Sequence, residues 1–111
     1  MYSFTKHFQN DSVPRLENKL GIAFTQDLSR KLRNFNKLPQ TILFRNKYKM
    51  KDMVLAKVDN HYLVFCLNPE TKVIITAFSV GMYAETVADE INKYRRNMDI
   101  INRFMRETEK N

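Results

Sequence analysis

Few side chains in this sequence can do acid–base or nucleophilic chemistry. His7 and His61 are the two histidines, and histidine alone changes charge near neutrality without help from its surroundings. His7 lies in a polar and aromatic stretch ahead of a helical segment, where it could serve as a general base or acid. His61 opens an apolar run beside Asp59 and Asn60 and reads as an exposed turn residue. The single cysteine, Cys66, lies inside the run Leu63-Val64-Phe65-Cys66-Leu67. That setting describes a buried core thiol, whereas a reactive thiolate needs an accessible, electropositive one. One cysteine also excludes an intramolecular disulfide. No cysteine pair, His-x-x-x-His or carboxylate cluster has the spacing of a metal site, so neither metal nor cofactor is expected.

The cations carry the stronger signal. Lys and Arg number 19 against 12 Asp and Glu, for a net charge of +7. Between Asp27 and Asp52 there is no acid, yet Arg30, Lys31, Arg33, Lys37, Arg45, Lys47, Lys49 and Lys51 all fall there. Each cation that meets a phosphate displaces condensed counterion, so clustered cations give strong, salt-sensitive binding to polyanions. Arg45, Lys47, Lys49 and Lys51 alternate with Asn46, Tyr48 and Met50. On an extended strand that period places all four cations on one face, with Tyr48 among them to stack on an unpaired base. Arg30, Arg33 and Lys37 are three and four apart, share a helix side, and would extend the groove. The competing reading is a solvated surface, with lysines guarding an edge strand. A second basic group, Lys93, Arg95, Arg96, Arg103 and Arg106, is interleaved with Glu85, Asp89, Glu90, Asp99 and Glu107. It reads as a salt-bridged exposed face.

The elements that must position these residues follow from periodicity. The chain of 111 residues, 43% hydrophobic with Gly 2 and Pro 3, forms one domain over 1–111, without a long disordered linker. A short helix is expected over 12–22, with Ser12 as cap, Pro14 near its start, and Gly21 as its stop. A second is expected over 25–36, with Thr25 as N-cap and Leu28, Leu32 and Phe35 inward; Pro39 ends it. The period then changes to two. Residues 53–58, 62–67 and 73–79 read as three strands of an antiparallel meander, with 41–45 as a fourth. Asp59-Asn60 and 68–71 supply turns. Beyond Gly81 one long helix is expected over 84–109, with the stripe Ala84, Val87, Ile91, Tyr94, Met98, Ile101 and Met105. That stripe would lie on the sheet. Its later residues, Ile91 to Met105, could also form a homodimer seam. The fold class is therefore α+β: N-terminal helices on a 3–4-stranded antiparallel sheet, followed by a long C-terminal helix. No run approaches the roughly 18 apolar residues of a membrane span, and the N-terminus lacks the pattern of a signal peptide. A cytoplasmic protein is expected, with no membrane partner. The many Lys and Asn residues and the lack of Trp suit an AT-rich coding source such as a phage or bacterium.

His7, Arg15-Leu16, Lys19, Gly21-Ile22, Tyr62-Leu63-Val64 and Val73-Ile74-Ile75-Thr76-Ala77-Phe78 together form a pattern over residues 7–79. It resembles the small RNase fold of the barnase–colicin–RelE-like superfamily, including RelE-like toxins and colicin D-type nuclease domains. The resemblance implies N-terminal helices packed on a twisted antiparallel sheet, and metal-independent RNA cleavage through attack of the ribose 2′-hydroxyl. It implies His7 as base or acid, Arg15, Lys47 and Lys49 as phosphate ligands, and Tyr48 as a stacking platform. Thr76 or Ser79 would bond the phosphate, with packing and capping as competing roles. It also implies an inhibitory partner protein.

Three functions are thus expected in order. The first is a basic nucleic-acid-binding module using the 30–51 segment, on RNA or DNA. The second is a metal-independent endoribonuclease using His7, Arg15 and Lys47. The third is an interaction domain whose C-terminal helix meets an acidic protein or a second copy.

Overall fold

The computed structural model describes residues 1–109. A five-stranded sheet in the order β1-β5-β4-β3-β2 lies between two layers of helix. The strands are β1 (Ser3–Phe4), β2 (Gln40–Asn46), β3 (Lys51–Val58), β4 (His61–Asn68) and β5 (Val73–Ser79). β2 to β5 form an antiparallel meander, and β1 adds to β5 in parallel, with Ser3 opposite Val73 and Phe4 opposite Ile74. The sheet is therefore five-stranded and mixed, not a 3–4-stranded antiparallel one. A two-residue strand is too short to leave any periodicity in the sequence. Among the described residues, no helix is long and apolar enough to cross a membrane.

The first helical layer covers one sheet face. It comprises a π-helical turn at Phe8–Ser12, α1 (Val13–Leu20), α2 (Ile22–Gln26), α3 (Leu28–Arg33) and a 3₁₀ turn at Phe35–Lys37. Phe8, Leu16, Leu28, Leu32 and Phe35 meet Val54, Ala56, Leu63, Phe65, Ile74 and Ala77 in its core. Gly21 does end α1: its φ of 93° is open to glycine, and its N–H closes on Glu17 O at 2.8 Å. The helix expected over 25–36 is instead two short helices. Asp27 separates them, and Thr25 lies inside α2 with its hydroxyl donating to Ile22 O. α3 stops at Arg33, so Lys37 falls on the following turn.

The second layer is α4 (Val80–Val87) and α5 (Ile91–Thr108). The single long helix expected from residue 84 is broken at residues 88–90, with no Gly or Pro to mark the break. Tyr83, Val87, Ile101 and Phe104 pack on Leu43, Leu55 and Val64. Tyr94, Met98 and Met105 join them partly buried, while Ile91 stays 54% exposed. The predicted stripe thus finds most of its apolar contact within its own chain. α5 runs from Phe44, whose ring lies 4.4 Å from Lys93 Nζ, to Lys57, whose ammonium donates to Thr108 O.

The two sheet edges are treated differently. Beyond the short β1, the outer edge of β5 is sealed by side chains of the first layer. Thr5 donates to Ile75 O, Ser12 Oγ accepts from Ala77 N at 3.1 Å, and Arg15 donates to Ala77 O. Lys19 reaches Ser79 Oγ at 3.2 Å. The first three of these bonds satisfy backbone groups that an edge strand would otherwise present. β2 forms the other edge.

Candidate nucleic-acid interface

The basic run 45–51 folds as a hairpin tip. β2 ends at Asn46, residues 47–50 form the turn, and β3 begins at Lys51. Met50 closes the turn at φ 53°, and Asn46 Oδ1 accepts from Lys49 N at 3.1 Å. The four cations expected on one strand face therefore part company. Lys47 and Lys49 belong to the turn, and Lys51 starts the returning strand. The alternation of Lys with Asn, Tyr and Met imitates a strand, but its turn residues are held by an Asx bond the sequence does not advertise.

Arg45 takes a separate role through a bulge. Ile42 pairs with Val54 but Phe44 pairs with Met53, so Leu43 is an extra residue. Leu43 can then stay in the core beneath α5, while Arg45 turns to the opposite face and meets Asp52 across the strands. The guanidinium binds that carboxylate with two bonds, 3.1 and 3.2 Å. Asp52 is only 3% exposed, and a buried carboxylate requires such a partner. The bonded carboxylate drives Arg45 further above its already high pKa. Burial, and then the same carboxylate, hold the Tyr2 phenol above its ordinary pKa.

With Asp52 neutralised, the tip presents Lys47, Lys49 and Lys51, all exposed and, among the described residues, free of ion pairs. Tyr48 projects between them with 101% relative exposure. Beside the tip lies a cleft of about 320 Å³ between the two turns at this end of the sheet, lined by Arg45, Lys47, Met50, Lys51, Pro69 and Glu70 among others. The earlier cations are elsewhere. Lys31 pairs with Asp59 at the opposite end of β3, about 26 Å away at 3.3 Å per residue. Arg30 faces Asp27 at 3.5 Å, and both side chains are largely exposed. Arg33 and Lys37 are exposed and without an acid partner among the described residues. Arg33 is at the tip's end of the sheet but across it, its carbonyl accepting from Tyr2 N ahead of β1, so the segment 30–51 does not form one groove and the compact group is the hairpin tip.

The candidate catalytic residues do not converge. His7 Nδ1 pairs with Asp11 Oδ2 at 2.8 Å, one turn along its own helix. Arg15 lies eight residues on, roughly 12 Å along the axis, and is committed to Ala77 O and the Phe78 ring, 4.9 Å from its centroid. Lys47 belongs to β2–β3, three strand spacings from β5, roughly 14 Å. Thr76 Oγ1 shares a 2.9 Å bond with Ser12, and Ser79 caps α4 through Met82 N. His61 packs edge-on against Phe24 at 4.7 Å. Burial pushes the Cys66 thiol up, against a smaller lowering by Lys51, which opposes thiolate chemistry.

Sequence reasoning missed Asp52 as the ligand of Arg45, because cross-strand partners depend on register and a bulge sets it here. It also missed the buried pair in which Asn97 Nδ2 donates to Tyr83 Oη at 2.7 Å. Asn97 sits beside the apolar stripe and carries no spacing signal. No family model, curated protein or solved structure matches the chain.

Proposed function

We propose that the protein binds single-stranded nucleic acid, RNA or DNA, through the tip of the β2–β3 hairpin. The observation that carries this reading is Tyr48, fully exposed between Lys47 and Lys49 with Lys51 beside them. A ring that buries nothing in its own chain is free to stack on any base, and the flanking ammonium groups suit the adjoining phosphates. Asp52, the acid of this hairpin, is cancelled by Arg45, which leaves Glu70 across the cleft as the one carboxylate facing three lysines. The cleft beside the tip gives a neighbouring nucleotide somewhere to rest.

The test is fluorescence anisotropy with a short labelled single strand, as RNA and as DNA, in EDTA at low salt. Both are expected to bind. Tyr48→Ala should weaken binding by about fivefold to a hundredfold, the usual loss of a stacking platform. Unchanged affinity when Lys47, Lys49 and Lys51 are all replaced by Ala refutes the assignment of the tip.

A further inference from the structure

α5 presents a second cationic surface. Its buried side carries Asn97, Ile101 and Phe104. The opposite side carries Arg95, Arg96, Arg103, Arg106, Asn92 and Asn102, every one exposed. The sequence suggests that neighbouring acids neutralise these arginines. The structure differs: among the described residues, the only α5 ion pair is Lys93 with Glu90 at 3.8 Å, and none of the four arginines joins one. Asp99 is the one acid in the middle of that face. The hairpin tip uses lysine alone, whereas this face uses arginine alone, whose planar fork suits phosphate oxygens and base edges.

The α5 face differs from the tip in a second way. It has no aromatic side chain, so it offers unpaired bases nothing to stack on. It has instead a rigid row of guanidinium and amide donors, with Arg95 and Arg106 about 16 Å apart along the axis. A rigid row suits a rigid double-stranded backbone, whose phosphates hold fixed spacing. The start of α5 is also the end of that helix nearer the tip. Lys93 in the first turn of α5 lies over Phe44, and Phe44 is three residues, roughly 10 Å of strand, from Lys47.

We propose that the ligand is a nucleic acid in which a duplex arm adjoins unpaired nucleotides, with the arm lying along the arginine face of α5 and the unpaired segment reaching the hairpin tip. This rests on the tip reading for its single-stranded half; the duplex half stands on α5 alone.

The experiment compares three labelled probes, each as RNA and as DNA: a short single strand, a blunt duplex of the same length, and that duplex with a single-stranded tail. The wild-type protein should bind the tailed duplex at least about tenfold more tightly than either simple probe. A variant carrying Arg95→Gln, Arg103→Gln and Arg106→Gln retains good helix formers, and circular dichroism verifies its fold. It should lose blunt-duplex binding and the advantage of the tail while keeping its single-strand affinity. Its log–log salt slope on DNA duplex should flatten by about 0.9 for each arginine that meets a phosphate. A tailed duplex bound no better than the single strand, or a Gln variant that keeps the advantage, overturns the proposal. Failure of the tip reading looks different: single-strand affinity would survive the triple lysine variant, while duplex affinity would still fall with the arginines. A face that serves an acidic protein or only solvent would show no nucleic-acid loss on Gln substitution, and the proposal would be wrong.

Discussion

The salt dependence of single-strand binding can be worked from the hairpin geometry. Lys47, Lys49 and Lys51 lack acid partners among the described residues, whereas Arg45 is joined to Asp52 by two bonds. The tip therefore offers three uncompensated cations rather than four. A cation that neutralises a phosphate of a single strand contributes about −0.7 to the slope of log K against log salt. Replacing all three lysines by Ala should flatten that slope by about 2.1. Over a fourfold rise in salt, the tip's share amounts to roughly an eighteenfold loss of affinity that the variant no longer shows. The control replaces Arg45 by Gln and Asp52 by Asn together, which leaves net charge unchanged and should leave the slope unchanged. The assay is anisotropy titration of one labelled strand at four or more salt concentrations, with circular dichroism to verify folding. A triple lysine variant with the wild-type slope refutes the reasoning. So does a paired Arg45/Asp52 variant that flattens the slope as much as a lysine does, because the ion pair would then not have cancelled the guanidinium.

Two further predictions concern the frame that holds this surface. Ser12→Ala leaves the Ala77 N–H on the sealed edge without its acceptor. It should cost about 1–3 kcal/mol of stability by urea unfolding and speed hydrogen exchange at Ala77; a protected Ala77 amide and an unchanged midpoint would count against the seal. Burial holds the Tyr83 phenol above its ordinary pKa of 10.0. Its contribution to stability is complete below that value and is lost as pH rises, because the unfolded chain releases a proton that the folded chain retains. Tyr83→Phe should thus lower stability at neutral pH, by orphaning Asn97 Nδ2, yet flatten the alkaline decline. Urea midpoints from neutral to strongly alkaline pH measure both effects, and an equally steep decline in the variant would exclude Tyr83 as its source.

The strands of the meander were legible because each is a short run of β-branched and aromatic residues bounded by turn formers. The expected 53–58, 62–67 and 73–79 appear as Lys51–Val58, His61–Asn68 and Val73–Ser79. Asp59 adopts the positive φ, 55°, that its place in a two-residue connection requires. What the sequence hid were features set by register and tertiary contact. β1 exists because Ser3 and Phe4 find β5, not because two residues have a propensity. The turn at 47–50 contains no Gly or Pro, and its Lys–Tyr–Lys pattern has a strand's period. The break between α4 and α5 interrupts an unbroken helical pattern. The charge concentration was visible from composition, but its dispersal over the sheet was not, since that depends on contacts such as Lys31 meeting Asp59. Arg15 shows the same limit: an arginine that reads as a phosphate ligand is held by a strand edge sixty-two positions away.

The sealed edge also sets an order of events for a chain made from its N-terminus. Thr5 and Ser12 emerge well ahead of their partners, since the carbonyl of Ile75 and the amide of Ala77 come 70 and 65 positions later. Until then the first layer can satisfy its own backbone by local helical bonds, but its core lacks Ile74 and Ala77 of the fifth strand. The three hairpins of the meander, by contrast, close over neighbouring residues and need no distant partner. The segment from Thr5 to Arg15 is thus fastened to the sheet edge only after its partner is made, and it acts as a clasp that closes when the fifth strand is in place.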